Sequence, residues 1–232
     1  MHYETSVPFG QDRLIPIWVA TLALRQKDRT VHFESAAQML EFFRLAKDGR
    51  YYRRMVQGFQ RIFTSTIFFG TGSQPGGSRL FDWARFHFFD ELHLWFTENG
   101  KSPSVSVHDC SNTITLSEAF YKEIDRHRIP VEREIVIALA NSPGVLDFYI
   151  WIAWRSWVLK SGNIRVPIFS PGGLEDQLGC QVHAEGRFLR RKINQWLRVI
   201  RAHWPHCPAE ISTDGQSLII SSSKPSPALH AV

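Results

Sequence analysis

GRYYRRMVQGFQR at positions 49–61 returns at positions 186–198 as GRFLRRKINQWLR, so one pattern, G-R-[YF]-x-R-R-x-[VI]-[QN]-x-[FW]-x-R, occurs twice in a chain of 232 residues. On a helix turning about 100° per residue, Arg50, Arg53, Arg54, Gln57 and Arg61 fall within roughly a 100° arc, and Arg187, Arg190, Arg191, Asn194 and Arg198 do the same. Tyr52, Val56, Phe59 and Phe63 form the opposite face in the first copy, and Leu189, Ile193, Trp196 and Ile200 take the same offsets in the second. The spacing predicts two helices, each held to a core by one face and displaying arginine from the other. A merely solvated face would mix in acids, and neither stripe contains one.

The surroundings of the two copies also match. Working outward from the first, residues 13–25 read as an amphipathic helix entered through Pro8 and Gly10, 30–33 as a strand, and Ser35 as the N-cap of a helix to about Ala46. Asp48 and Gly49 break the chain before the basic helix, and the β-rich stretch 65–69 and the glycine-rich hairpin tip 70–78 follow it. Strand-like segments at 79–96 and 104–107, with a loop at 99–103, complete the first half, and 112–116 leads out of it.

In the second half, Ser117 caps a helix to about Arg126, Pro130 starts one to about Ala140, and Ser142-Pro143 starts a long one to about Lys160. A strand at 163–169, a helix capped by Ser170 and ended by Gly179, the basic helix over 186–204, and a hairpin of 210–212 and 218–221 around Asp214-Gly215 follow. Helix, turn, basic helix and hairpin is the winged-helix order, and a helix fits the major groove, where Arg pairs with guanine and Gln or Asn with adenine. The expected fold is therefore α+β, with two tandem winged-helix domains, each a helix-turn-helix plus a β-hairpin wing, at 1–110 and 111–223, and a Ser- and Pro-rich disordered tail at 224–232. Double-stranded DNA is the expected partner. The ten stripe residues are its expected contacts, Gln57 and Asn194 the base readers among them, and Gly76, Gly77, Asp214 and Gly215 mark wing tips.

Composition agrees and narrows the class. Lys and Arg outnumber Asp and Glu by 27 to 22, and the pI of about 9.3 suits a polyanionic partner. Cys110, Cys180 and Cys207 are odd in number and form no C-x-x-C pair, which fits a reducing cytoplasm rather than a disulfide framework. No signal peptide opens the sequence and the apolar run at 148–154 is too short to span a bilayer, so no membrane role and a bacterial cytoplasmic location are expected.

Other chemistries fail on spacing. The loop at 70–78 lacks the Lys-Ser/Thr of a phosphate-binding loop. Cys180, His183, His203, His206 and Cys207 bracket the second basic helix in no known zinc-finger spacing, so neither metal nor cofactor is expected. No His-x-His pair accompanies a tyrosine as a DNA-nicking initiator requires, and Asp90-Glu91, adjacent on a strand, point to opposite faces. Trp151, Trp154 and Trp157, with Tyr149, read as core, and Asp147 and Arg155 as paired or rim charges. No catalytic residue is assigned.

The segments LSEAFYKEI from Leu116, IPVEREIVIALANSPGVLDFYIWIAWR at 129–155, and the capped helix, basic helix and hairpin after them resemble the plasmid-encoded RepA-type replication initiators. The most specific piece is S-P-x-x-L-D-x-Y-x-W-I-x-W-R at 142–155, and the likeness spans nearly the whole chain. It implies binding to directly repeated origin sites, opening of adjacent A·T-rich DNA, recruitment of the host initiator and replicative helicase, and a homodimer through the N-terminal domain that represses its own gene. Members often carry residues ahead of the first domain, so a short N-terminus is expected here. Two other readings fit the same residues: a tandem winged-helix transcriptional repressor, and a non-enzymatic interaction scaffold.

Overall fold

Two units, Met1–Arg128 and Ile129–Val232, make up the computed structural model, which describes residues 8, 10–35, 37–73, 80–94, 112–129, 131–169, 171–178 and 186–223. In the first, a 3-10 turn, Gly10–Arg13, feeds α1 (Leu14–Gln26), whose Leu14, Ile15, Trp18, Val19 and Ala23 are buried. Lys27, left-handed at φ 56, ends α1 and lets β1 (Thr30–Phe33) turn away.

The next helix, α2 (Ala37–Phe42), stops short of the expected Ala46. Arg44 takes a φ of 52 and the Leu45 N–H donates back to the Leu40 carbonyl at 2.8 Å, the bond that closes a Schellman end. Asp48 then opens α3 (Gly49–Thr64) by accepting from the N–H groups of Arg50 and Tyr51 at 3.0 and 2.8 Å.

After α3, β2 (Thr66–Ser73) pairs antiparallel with β3 (Leu80–His87). Past Phe88 the chain continues as β4 (Phe89–His93), which leaves β2 and pairs with β5 (Asn112–Leu116). β5 is the middle of a three-stranded sheet in the order β1-β5-β4, so the segment expected to lead out of the first half is instead the centre of its sheet. α4 (Glu118–Arg126), capped by Ser117, whose Oγ accepts from the Phe120 N–H at 3.1 Å, packs against α1 and β3. Both belong to the first unit, which is why the division falls after Arg128 and not at the expected 110/111.

The second unit begins with α5 (Arg133–Leu139), later than the expected start at Pro130, and α6 (Pro143–Val158), with Pro143 at its first turn. β6 (Asn163–Pro167), α7 (Leu174–Gln177), α8 (Gly186–His203), β7 (Ala209–Ile211) and β8 (Ser217–Ser221) follow. Gly173, not Ser170, is the cap residue of α7. The strands form one antiparallel sheet in the order β6-β8-β7, with its turn at Gly215, φ 66.

Both units run strand, short helix, long basic helix, hairpin, yet their sheets differ. β6 pairs directly with the hairpin strand β8, whereas β1 pairs with β5, which lies between it and the bent strand β3-β4. The molecule is thus α+β, with small antiparallel sheets packed on helices. Among the described residues no helix is long and apolar enough to cross a membrane.

Candidate nucleic-acid interface

α3 and α8 carry the repeated pattern, and neither contains an acidic residue. Each is fixed by a different neighbour. On α3 the buried residues are Met55, Val56, Gly58, Phe59 and Ile62. Phe59 meets Trp18 of α1 at 6.3 Å between ring centroids, and a Cβ on Gly58 would lie 2.8 Å from both Asp12 Oδ1 and Ile15 Cδ1. Only glycine allows α3 so close to the 3-10 turn and α1.

On α8 the buried residues are Leu189, Ile193, Leu197 and Ile200. Trp196 lies on α6: a Cβ on Gly144 would stand 3.0 Å from its Cζ2, and Phe148 is 5.8 Å away between centroids. Tyr149 of α6 meets Trp204, just past the end of α8, edge-on at 5.5 Å. Gly144, Phe148 and Tyr149 all fall within SPGVLDFYIWIAWR, so the most distinctive stretch of sequence is the floor on which the second basic helix rests.

The structure separates the ten expected contacts. Arg50, Arg53, Arg54 and Gln57 are exposed along α3. Arg50 and Arg54 both stand 5.9 Å from the ring centroid of Tyr51, Arg50 lies 3.9 Å from Asp48, and Arg54 donates to Gln11 at 3.3 Å. Arg53 Nε donates to the Gly49 carbonyl at 3.2 Å.

Arg61 is different. Its Nε donates to Asp12 Oδ2 at 2.7 Å and its Nη2 to Oδ1 at 2.8 Å, with side-chain exposures of 13% for Arg61 and 3% for Asp12. The hydrogen bonds to Asp12 hold the guanidinium above its ordinary pKa. The residue expected to touch DNA is a half-buried clamp between α3 and the 3-10 turn.

On α8, Arg191, Asn194 and Arg198 are exposed, with the Asn194 amide donating to the Arg190 carbonyl at 3.0 Å. Arg198, in the position equivalent to Arg61, has no ion pair among the described residues. Arg190 turns aside: its guanidinium stacks 5.4 Å from the Phe169 ring, and a Cβ on Gly215 would lie 3.4 Å from its Nη1, so it ties the helix to the hairpin turn. Its Nε is buried without a hydrogen-bond partner. The Arg187 side chain, Gly76 and Gly77 lie outside the described residues.

The hairpin turn is built around Asp214. Its carboxylate accepts from Ser212 Oγ at 2.6 Å and the Gln216 N–H at 2.9 Å and pairs with Arg165 of β6. These donors, Ser212 first, bring its pKa from an ordinary 3.8 down to about 2.

The two helices therefore carry one stripe at two rotations. In α3 the positions of Gly58 and Ile62 are buried and that of Gln60 exposed; in α8 the equivalents Gln195 and Val199 are exposed and half-buried, and Leu197 is buried. At about 100° per residue the outward face differs by roughly 85° between the helices. Gln60 and Gln195, absent from the expected contacts, stand on the outward faces, as does Phe188, 55% exposed. Phe63, expected on the buried face, is 40% exposed.

The remaining expectations divide. Asp90 pairs with Arg29 at 3.0 Å and His87 at 2.8 Å, while Glu91 accepts from Thr115 at 3.4 Å, so the two acids have separate structural partners. Tyr149 is core, but Trp154 and Trp157 are 36% and 44% exposed, against the expectation that all three tryptophans are buried. Arg155 stacks on Trp151 and Trp154 and donates to Gln177 at 2.6 Å. Of the residues weighed for zinc, Cys180 and His183 lie outside the described residues.

No curated protein matches the chain. Among solved structures, a selenomethionine derivative of domain 2 and domain 3 of RctB aligns with a TM-score of 0.58 at 14% identity, covering 83% of this chain and 70% of that one. A second structure, of RctB domains 2-3, aligns with a TM-score of 0.54 at 12% identity, over 94% of this chain and 84% of that one. At such identities the likeness is one of fold. The sequence match is to the family described as plasmid encoded RepA protein, over residues 82–170, which run from β3 through α6 to the segment before α7 and contain the floor beneath α8. Through that region the chain is similar to the plasmid-encoded RepA protein family.

Proposed function

We propose that the chain is a plasmid DNA replication initiator, a non-catalytic protein that binds directly repeated double-stranded origin sites by inserting α3 and α8 into major grooves. The observation that carries this reading is the pair of acid-free helices, each anchored by one face and offering exposed arginine and amide side chains from the other. In each unit the basic helix follows a strand and a short helix and precedes a hairpin, the order of a winged helix, so each unit is read as one winged-helix domain. The match to the plasmid encoded RepA family supports the origin as target. On this reading the host initiator and replicative helicase are recruited by the bound protein in the bacterial cytoplasm, and the first unit mediates homodimerisation.

Arginine and amide side chains divide the work as DNA demands. Guanidinium groups neutralise phosphates and pair with guanine edges, while Gln and Asn pair with adenine. Arg50, Arg53, Arg54, Gln57, Arg187, Arg191, Asn194 and Arg198 are the proposed contacts; Arg61 is withdrawn from the set, and Arg190 acts by holding the hairpin beside α8.

The test is selection from a random duplex library at about 150 mM salt, followed by a salt titration on the enriched site. A recurrent site present as direct repeats beside A·T-rich DNA, with a log-log slope of roughly −5 to −7, fits about six to eight phosphate contacts. A palindromic promoter site alone supports a repressor instead, and absence of any enriched sequence overturns DNA recognition.

A further inference from the structure

We propose that Phe188 is a specificity residue that reads the 5-methyl group of thymine; the inference rests on α8 being a DNA-recognition helix. Among the described residues Phe188 is the most exposed large apolar side chain, at 55%. It stands in the first turn of α8, the part of a recognition helix that reaches base edges. Phe188, Arg191, Gln195 and Arg198 are all exposed and spaced i, i+3, i+7 and i+10, which places them on one face.

Comparison with the other copy of the pattern sharpens the point. Tyr51 holds the equivalent position on α3, and its ring is covered by Arg50 and Arg54. On α8, Arg190 lies over Phe169 at 5.4 Å and Lys192 over Trp196 at 5.0 Å, and neither covers Phe188. The anchoring residues Leu189 and Ile193, 2% and 0% exposed, hold the backbone so that Phe188 cannot turn inward without unseating them.

An exposed phenyl ring on an acid-free, arginine-bearing face suits a ligand that is anionic around an apolar spot. Thymine in the major groove is such a ligand, because its methyl group projects between flanking phosphates and is the one apolar feature that distinguishes it there. Phosphates pair with Arg191 and Arg198 while the methyl group meets the ring.

The test uses the full chain and its selected duplex, with each thymidine replaced in turn by deoxyuridine, which removes only the methyl group. For the unaltered protein, one or two replacements are expected to weaken binding about fourfold each, the worth of one buried methyl group. Phe188→Ala should bind the original duplex as weakly as the unaltered protein binds the deoxyuridine duplex, and should be indifferent to that replacement. Phe188→Leu, which keeps an apolar contact, should retain part of the discrimination. Indifference of the unaltered protein to every replacement overturns the proposal, as does an undiminished methyl penalty in Phe188→Ala; in either case continued enrichment of one site leaves DNA recognition by α8 standing. Failure of the unaltered protein to prefer any sequence removes both readings together.

Discussion

Replacing Arg61 with alanine separates the two roles that arginine plays on the repeated helix. The change removes two charge-assisted bonds, at 2.7 and 2.8 Å, from a carboxylate that is 3% exposed. Breaking one side of a pair whose carboxylate is buried costs about 3–5 kcal/mol, because Asp12 keeps its desolvation penalty and loses the guanidinium. In urea, with a slope of roughly 2–3 kcal/mol/M for a domain of this size, the midpoint of the first unit should fall by about 1–2 M. Hydrogen exchange read by mass spectrometry on α1 and α3 assigns the loss to that unit. The double variant Asp12→Leu with Arg61→Met should recover most of the stability, since an apolar pair of similar volume carries no stranded charge. Arg198→Ala, at the equivalent position of α8, should leave stability within about 0.5 kcal/mol and reduce the salt slope of DNA binding by about one. If Arg61→Ala keeps its urea midpoint and instead weakens DNA binding as Arg198→Ala does, the assignment of Arg61 to the fold is wrong.

The same rotation predicts opposite outcomes at another matched pair: Gly58→Ala should destabilise by about 1–3 kcal/mol despite better helix propensity, because its Cβ would meet Ile15 and an Asp12 already clamped by Arg61. Gln195→Ala, on the exposed face, should leave the unfolding midpoint unchanged. Tyr149→Phe should cost about 1–2 kcal/mol by urea unfolding, since the Glu132 N–H donates to the phenol oxygen at 2.9 Å and would lose its partner; burial also raises that phenol to about 12, so ultraviolet titration of the folded protein should show a tyrosine ionising near there. Asp214 has a folded pKa depressed to about 2, so its contribution to the hairpin turn is full above its ordinary 3.8 and is lost as pH falls through the folded value. A carboxyl carbon chemical-shift titration of Asp214 should have its midpoint near 2, and a midpoint near the ordinary value would refute the Ser212, Gln216 and Arg165 contacts.

Local signals in the sequence identified most helices and strands because each carries its own chemistry. Asp48 and Ser117 accept from backbone N–H groups at helix starts, and Gly215 supplies the positive φ of the last hairpin. What the sequence hid was long-range pairing. The stretch NTITL has the apolar alternation of a strand, but nothing local says that it inserts between β1 and β4. That insertion moves the boundary between the units past α4 and makes their sheets unlike. The early stop of α2 was equally hidden, since Arg44 in the left-handed region has no glycine or asparagine to announce it.

The repeated stripe exposes a more general limit. A periodic pattern fixes which residue types share a helix face, but the neighbour against which the helix packs fixes where that face points. At Gly58 the missing side chain admits Asp12 and Ile15, which draws the adjacent arc inward and captures Arg61. At Gln195 a long polar side chain excludes any such approach, and the burial of α8 shifts to Leu197 and to Trp196 over Gly144. Two residues, glycine in one copy and glutamine in the other, therefore decide whether the last arginine of the pattern faces protein or solvent. The signal was in the sequence, as the one position where a glycine on α3 aligns with a large polar residue on α8. Reading it requires asking of each matched pair whether both residues tolerate the same environment: arginine at 61 and 198 is compatible with both, so identity at that position carries no information about its role, and the difference three residues earlier carries all of it.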